Sequence, residues 1–182
     1  NKDHFADVII NYNPKNNFIE KYNISRNKKK NCNFLINPKY NIISKQSLKK
    51  NYNFIKSKFY ITFYLGGGSD QIIFYKLLIE LAKKINNKLN IKLLVIIGPL
   101  SKNKDLMLKL SEKYQCIETI SGYNNIYYII KKSKIFIGTS GTAIFETAFL
   151  KTPSILFKVS KNQDTNIFSL ENLSALSQTG PT

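Results

Sequence analysis

At 182 residues, 43% of them hydrophobic, the chain can bury one good core and a fragment of a second domain, and no run of about 18 uninterrupted apolar residues offers a membrane span. Its formal charge of +17 does not point to nucleic acid: all but one of the 28 basic residues are lysine, Arg26 being the exception, and they are scattered instead of forming one stripe. Cys32 and Cys116 are too few and too unpatterned for a disulfide framework or a metal site, which fits a reducing, cytoplasmic interior.

The segment before Lys58 is polar and rich in Asn and Lys, with strands expected at Phe5 to Ile10 and Phe34 to Ile36 and no helix long enough to cover a sheet. The chain starts at Asn1, not Met, directly in strand-like sequence. Residues 1–50 are therefore expected to be the remnant of a truncated N-terminal domain with its linker, which Asn37-Pro38 and the polar stretch from Ser44 to Asn53 represent.

Residues 51–182 read as a second domain in which strands and helices alternate. Lys58 to Leu65 is aromatic and β-branched, a buried strand. A helix follows, with Phe74, Leu77, Leu78, Leu81, Ala82 and Ile85 at three-four spacing. Ile91 to Ile97 predicts the next strand, closed by Gly98-Pro99, and Asn103 to Tyr114 a helix with Leu106, Met107 and Leu110 inward. Cys116 to Ile120 predicts a third strand, Tyr123 to Lys132 a helix, and Lys134 to Ile137 a fourth strand. Thr142 to Leu150 predicts a helix with Phe145, Ala148 and Phe149 facing the core, and Ser154 to Val159 a fifth strand, after which Asn162-Gln163 opens a polar loop. The alternation implies an α/β fold with a parallel, doubly wound, Rossmann-like sheet in the order 3-2-1-4-5. Its first and fourth strands then lie side by side, and ligands bind at such a switch point.

Both of those strands end in glycine-rich turns, Gly66-Gly67-Gly68-Ser69-Asp70 and Gly138-Thr139-Ser140-Gly141-Thr142, and each turn opens a helix. Glycine lets an anion approach backbone amides, and the first amides of a helix lack intrahelical partners, so two such turns across one crevice suit a diphosphate. The competing explanation is that Ser69, Asp70 and Thr142 merely cap helices while the glycines turn the chain. The first turn lacks G-x-G-x-x-G spacing, and no acidic residue ends the second strand, both of which argue against a nicotinamide site.

Taken together, Gly67-Gly68-Ser69-Asp70, Ile137-Gly138-Thr139-Ser140-Gly141-Thr142 with Glu146, Thr152-Pro153-Ser154-Ile155 and Asn162-Gln163 resemble the PseG-like UDP-sugar hydrolases of pseudaminic acid biosynthesis, which have the two-domain GT-B architecture. His4 and Asp7 resemble that family's H-x-x-D stretch, and Asn37-Pro38-Lys39-Tyr40 its G-P-x-Y segment. The resemblance implies that residues 51–182 are a GT-B-type C-terminal domain. It implies a diphosphate held by amides near Ser140, Gly141 and Thr142, joined by Gly67, Gly68 and Ser69, with Gly138 and Thr139 in the same turn. Glu146 would accept hydrogen bonds from the ribose, uracil would lie near Ile120 and Gly98, and Asn162 and Gln163 would face the sugar.

The family's catalytic histidine lies in a glycine-rich loop that nothing here matches, so the base is expected in the missing part; His4, the only histidine, belongs to a later strand and does not inherit the role. The tail from Asn172 to Thr182 departs from the pattern of the family. What the resemblance implies for the whole protein is hydrolysis of a UDP-linked deoxy amino sugar, releasing UDP, with no cofactor and no metal, in a monomer that needs the N-terminal domain to complete its site. A GT-B glycosyltransferase using a UDP-sugar donor and a non-catalytic nucleotide-sugar-binding fragment are the alternatives.

Overall fold

The computed structural model describes residues 7–11, 33–36, 40, 55, 58–66, 72–122, 126–160 and 163. Two parallel sheets are present among them. In the smaller, β1 (Val8–Asn11) pairs with β2 (Asn33–Ile36), Ile9 opposite Phe34. The larger consists of β3 (Phe59–Tyr64), β4 (Ile91–Ile97), β5 (Ile117–Ser121), β6 (Ile135–Thr139) and β7 (Ser154–Phe157), in the order β5-β4-β3-β6-β7. This is the 3-2-1-4-5 order expected from the sequence, with every pairing parallel.

Parallel strands joined by helices are covered on both faces, and the central strands β3, β4 and β6 are correspondingly mostly apolar. Alternation along each strand divides the core in two. Phe63, Leu93, Val95, Ile97 and Ile137 point to the face covered by α1 (Ile72–Ile85) and α2 (Lys104–Lys113), where they meet Phe74, Leu78, Ala82, Met107 and Leu110. Tyr60, Leu94, Ile96 and Phe136 point to the other, against Ile129 and Ile130 of α3 (Tyr127–Lys132) and Ala143 of α4 (Ala143–Phe149). The helix after β3 thus lies on one face and the helix after the adjacent β6 on the other, which makes the gap between these strands the switch point.

Thr62, buried at the middle of β3, needs a partner for its hydroxyl. It hydrogen-bonds Ser133, whose own hydroxyl donates to the Ile129 carbonyl at 2.6 Å. Each hydroxyl has one proton, so Thr62 is the donor to Ser133, and the relay fixes the end of α3 to the sheet.

Several details depart from the sequence-based expectation. β6 runs through Gly138 and Thr139, so the second turn begins inside a strand, and β7 ends at Phe157, short of Val159. Leu106 is exposed, because the buried stripe of α2 follows Met107, Leu110 and Tyr114. On α4 Phe145 is buried as expected, together with Ala143, Ile144 and Thr147. Phe149 is 60% exposed, and Ala148 is exposed too, so neither faces the core. Cys32, the proposed linker stretch, Tyr123 and the tail from Asn172 lie outside the described residues.

Candidate functional site

Gly66 follows β3 with φ +82°, a left-handed conformation that an L side chain adopts only with strain. Gly138, the residue before the last of β6, is required for a different reason: a Cβ there would lie 2.6 Å from the Phe136 ring and 2.6 Å from the Tyr64 carbonyl oxygen. The absence of a side chain lets β6 run close against β3. Thr139, next along β6, places its Oγ1 3.6 Å from where a Gly66 Cβ would be and 3.8 Å from that of Gly141. The Thr139 hydroxyl therefore lies beside both Gly66 of the first turn and Gly141 of the second.

Around it is a cavity of about 320 Å³. Tyr64, Gly66 and Thr139 supply its strand side, and Gly141, Thr142 and Glu146 its helix side; Leu65, Ile126, Ala143 and Gln163 complete the lining.

The backbone at the start of α4 is open. The Ser140 amide is spent on the Phe157 carbonyl at 3.0 Å, whereas the amides of Gly141, Thr142 and Ala143 donate to nothing among the described residues. Thr142, the N-cap, makes no side-chain capping bond, which removes the simplest competing explanation for it. Amides freed at a helix start and facing a cavity favour an anion there.

Glu146, one turn further along α4, lines the same cavity. Burial pushes its carboxyl above the usual range, and a hydrogen bond from Tyr127 acts against that shift. Its Oε2 is shielded from solvent and has no hydrogen-bond partner among the described residues. Tyr64 is raised first by burial and then by the charge of Glu146. A buried acceptor without a donor is costly, and a ligand that brings hydroxyls would relieve it.

Gln163 ties the chain after β7 to the second turn: its Oε1 accepts from the Val159 amide at 2.9 Å and from the Ser140 hydroxyl at 3.1 Å. With the oxygen so engaged, its NH₂ is the group left for the cavity.

Of the residues expected in the site, Thr139, Gly141, Thr142, Glu146 and Gln163 line this cavity, and Gly138 and Ser140 sit behind it, shaping the backbone and anchoring Gln163. Ser140 is fully buried, so its contribution is support. Gly98 follows β4, and Ile120 on β5 packs against Tyr60, Leu94, Ile96 and Ile129; neither lines the cavity. Gly67, Gly68, Ser69, Asp70 and Asn162 lie outside the described residues. Tyr64, Gly66 and Tyr127 are additions. Strand alternation carries a signal for Tyr64, on the same face as Tyr60 and Thr62, but Tyr127 reaches Glu146 only through the packing of α3 on α4.

A Rossmann-like parallel sheet with an anion-ready crevice at its switch point is the architecture of a GT-B C-terminal domain. Residues 61–176 match the glycosyltransferase family 28 C-terminal domain, and the chain belongs to that family. The glycotransferase of kitacinnamycin is similar in fold, with a TM-score of 0.59 at 16% identity over 76% of this chain; the chain spans 34% of that protein's length. No curated protein matches the sequence. Among the described residues no helix is long and apolar enough to cross a membrane.

Proposed function

We propose that this chain is the nucleotide-binding half of an enzyme that breaks the bond between the anomeric carbon of a sugar and the diphosphate of UDP. The diphosphate would rest on the Gly141, Thr142 and Ala143 amides, joined by Gly67, Gly68 and Ser69 of the first turn. The two ribose hydroxyls would donate to Glu146, and the Gln163 amide, with Asn162, would face the sugar. One observation carries the reading: three amides and a carboxylate oxygen without partners among the described residues share one cavity at the switch point of a family 28 domain.

Chemically, the half-site stabilises the leaving group. As the carbon–oxygen bond breaks, its electron pair moves onto the UDP diphosphate, and fixed amides bind the added charge more strongly than they bind the ground state. The attacking hydroxyl must lose a proton to a base, which this reading assigns to an N-terminal domain of which residues 1–50 are the end. The PseG-like motifs favour water as the attacking group and a UDP-linked deoxy amino sugar as substrate, releasing UDP and the free sugar toward nonulosonic acid. Family 28 membership favours an acceptor hydroxyl, and so transfer. We read the enzyme as monomeric and cytoplasmic.

The full-length protein, supplied with UDP-linked amino sugars and no acceptor, distinguishes the two. Multiple turnovers of UDP release matched by free sugar are expected for the hydrolase. Release that requires an added glycan or lipid acceptor would overturn hydrolysis in favour of transfer, and no release under either condition would sink the proposal.

A further inference from the structure

Tyr127 opens α3, and α3 packs against α4, which brings the phenol to the Glu146 carboxyl. A phenol has one proton and can donate it to only one carboxylate oxygen. The other oxygen, Oε2, has no partner among the described residues and belongs to a side chain lining the cavity. We propose that Tyr127 is a positioning residue for ligand binding: by holding one oxygen of Glu146 it fixes the carboxyl rotamer and presents Oε2 to a vicinal diol entering the crevice. The inference rests on the reading of Glu146 as the diol acceptor.

Orientation is one part of the effect; charge state is the other. A diol that donates two hydrogen bonds binds the ionised carboxyl, which burial disfavours and the Tyr127 hydrogen bond favours. Among the described residues, the titratable groups that face Glu146 are Tyr64 from β3 and Tyr127 from α3, and α4 carries no other charged residue. Of these two contacts, the Tyr127 hydrogen bond is the one that lowers the proton affinity of this carboxyl.

Replacing Tyr127 by Phe keeps the ring and removes the donor. Calorimetric titration of the full chain with UDP is expected to show about tenfold weaker binding than wild type at acid pH, narrowing as the pH rises, because loss of the donor raises the proton affinity of the Glu146 carboxyl. Inorganic pyrophosphate, which has no diol, is expected to bind both proteins alike. Unchanged UDP affinity at every pH would overturn the proposal. So would a loss that is flat with pH and equal for UDP and pyrophosphate, the mark of a merely structural role. Glu146→Ala separates the two failures: if it weakens UDP and Tyr127→Phe does not, only the role of Tyr127 falls, and if it leaves UDP unaffected, the reading of Glu146 falls as well. Carbon-13 NMR of the wild-type chain is independent of how the variants fold. Tyr127 ring signals that titrate together with the Glu146 carboxyl support the contact, and ring signals indifferent to that titration would refute it.

Discussion

Glu146 is the residue on which stability and function pull in opposite directions. Its carboxyl lies above the ordinary range because burial penalises the charged form more than Tyr127 favours it. Between the ordinary carboxylate value and the raised one, the folded protein holds a proton that the unfolded chain has already released, so stability declines as pH rises through that window. Glu146→Gln is uncharged throughout and abolishes the decline: it is expected to melt measurably higher than wild type at about pH 8 and close to wild type at about pH 4, below both values. Melting curves that differ by the same amount at both pH values would contradict the account. The same substitution weakens a ligand diol, since an amide offers only one acceptor oxygen. Gly138 shows a different constraint, set by packing: a Cβ cannot fit between the Phe136 ring and the Tyr64 carbonyl, whatever the ligand.

The relay from Thr62 through Ser133 to the Ile129 carbonyl is a buried polar contact that joins β3 to α3. Ser133→Ala leaves the Thr62 hydroxyl buried without an acceptor and is expected to cost about 1–3 kcal/mol in denaturant unfolding. Thr62→Val in the same chain removes the stranded donor, and the double variant is expected to recover part of the loss. A double variant as unstable as the two single losses added together would argue against the relay. The strands and their order were legible in the sequence because parallel strands buried on both faces leave continuous apolar runs, such as Ile91 to Ile97, closed by glycine or polar turns. Helix faces were less so. In α4, seven residues long, Phe149 is as hydrophobic as Phe145, and only the position of the helix on the sheet decides that one is exposed and the other buried. The same limit applies to the site: glycine spacing revealed the second turn, while the Tyr127–Glu146 contact and the use of Ser140 to hold Gln163 arise from packing between segments distant in sequence.

Over the whole molecule, the doubly wound order brings the ends of β3 and β6 together, and the side chains there differ in kind from those of the core around them. Phe63, Leu93 and Ile144 are enclosed and serve stability, whereas Tyr64, Thr139, Thr142 and Glu146 surround an open volume. If that volume holds UDP, binding is linked to folding, and UDP at about 100 times its dissociation constant stabilises the chain by roughly 2.7 kcal/mol. Titration of the chain with UDP, read both as heat and as thermal shift, tests the central claim most directly. The account predicts saturable binding with a matching rise in melting temperature, and a larger loss on Glu146→Ala for UDP than for pyrophosphate. Neither heat nor thermal shift at millimolar UDP, or binding that Glu146→Ala leaves intact, would contradict it.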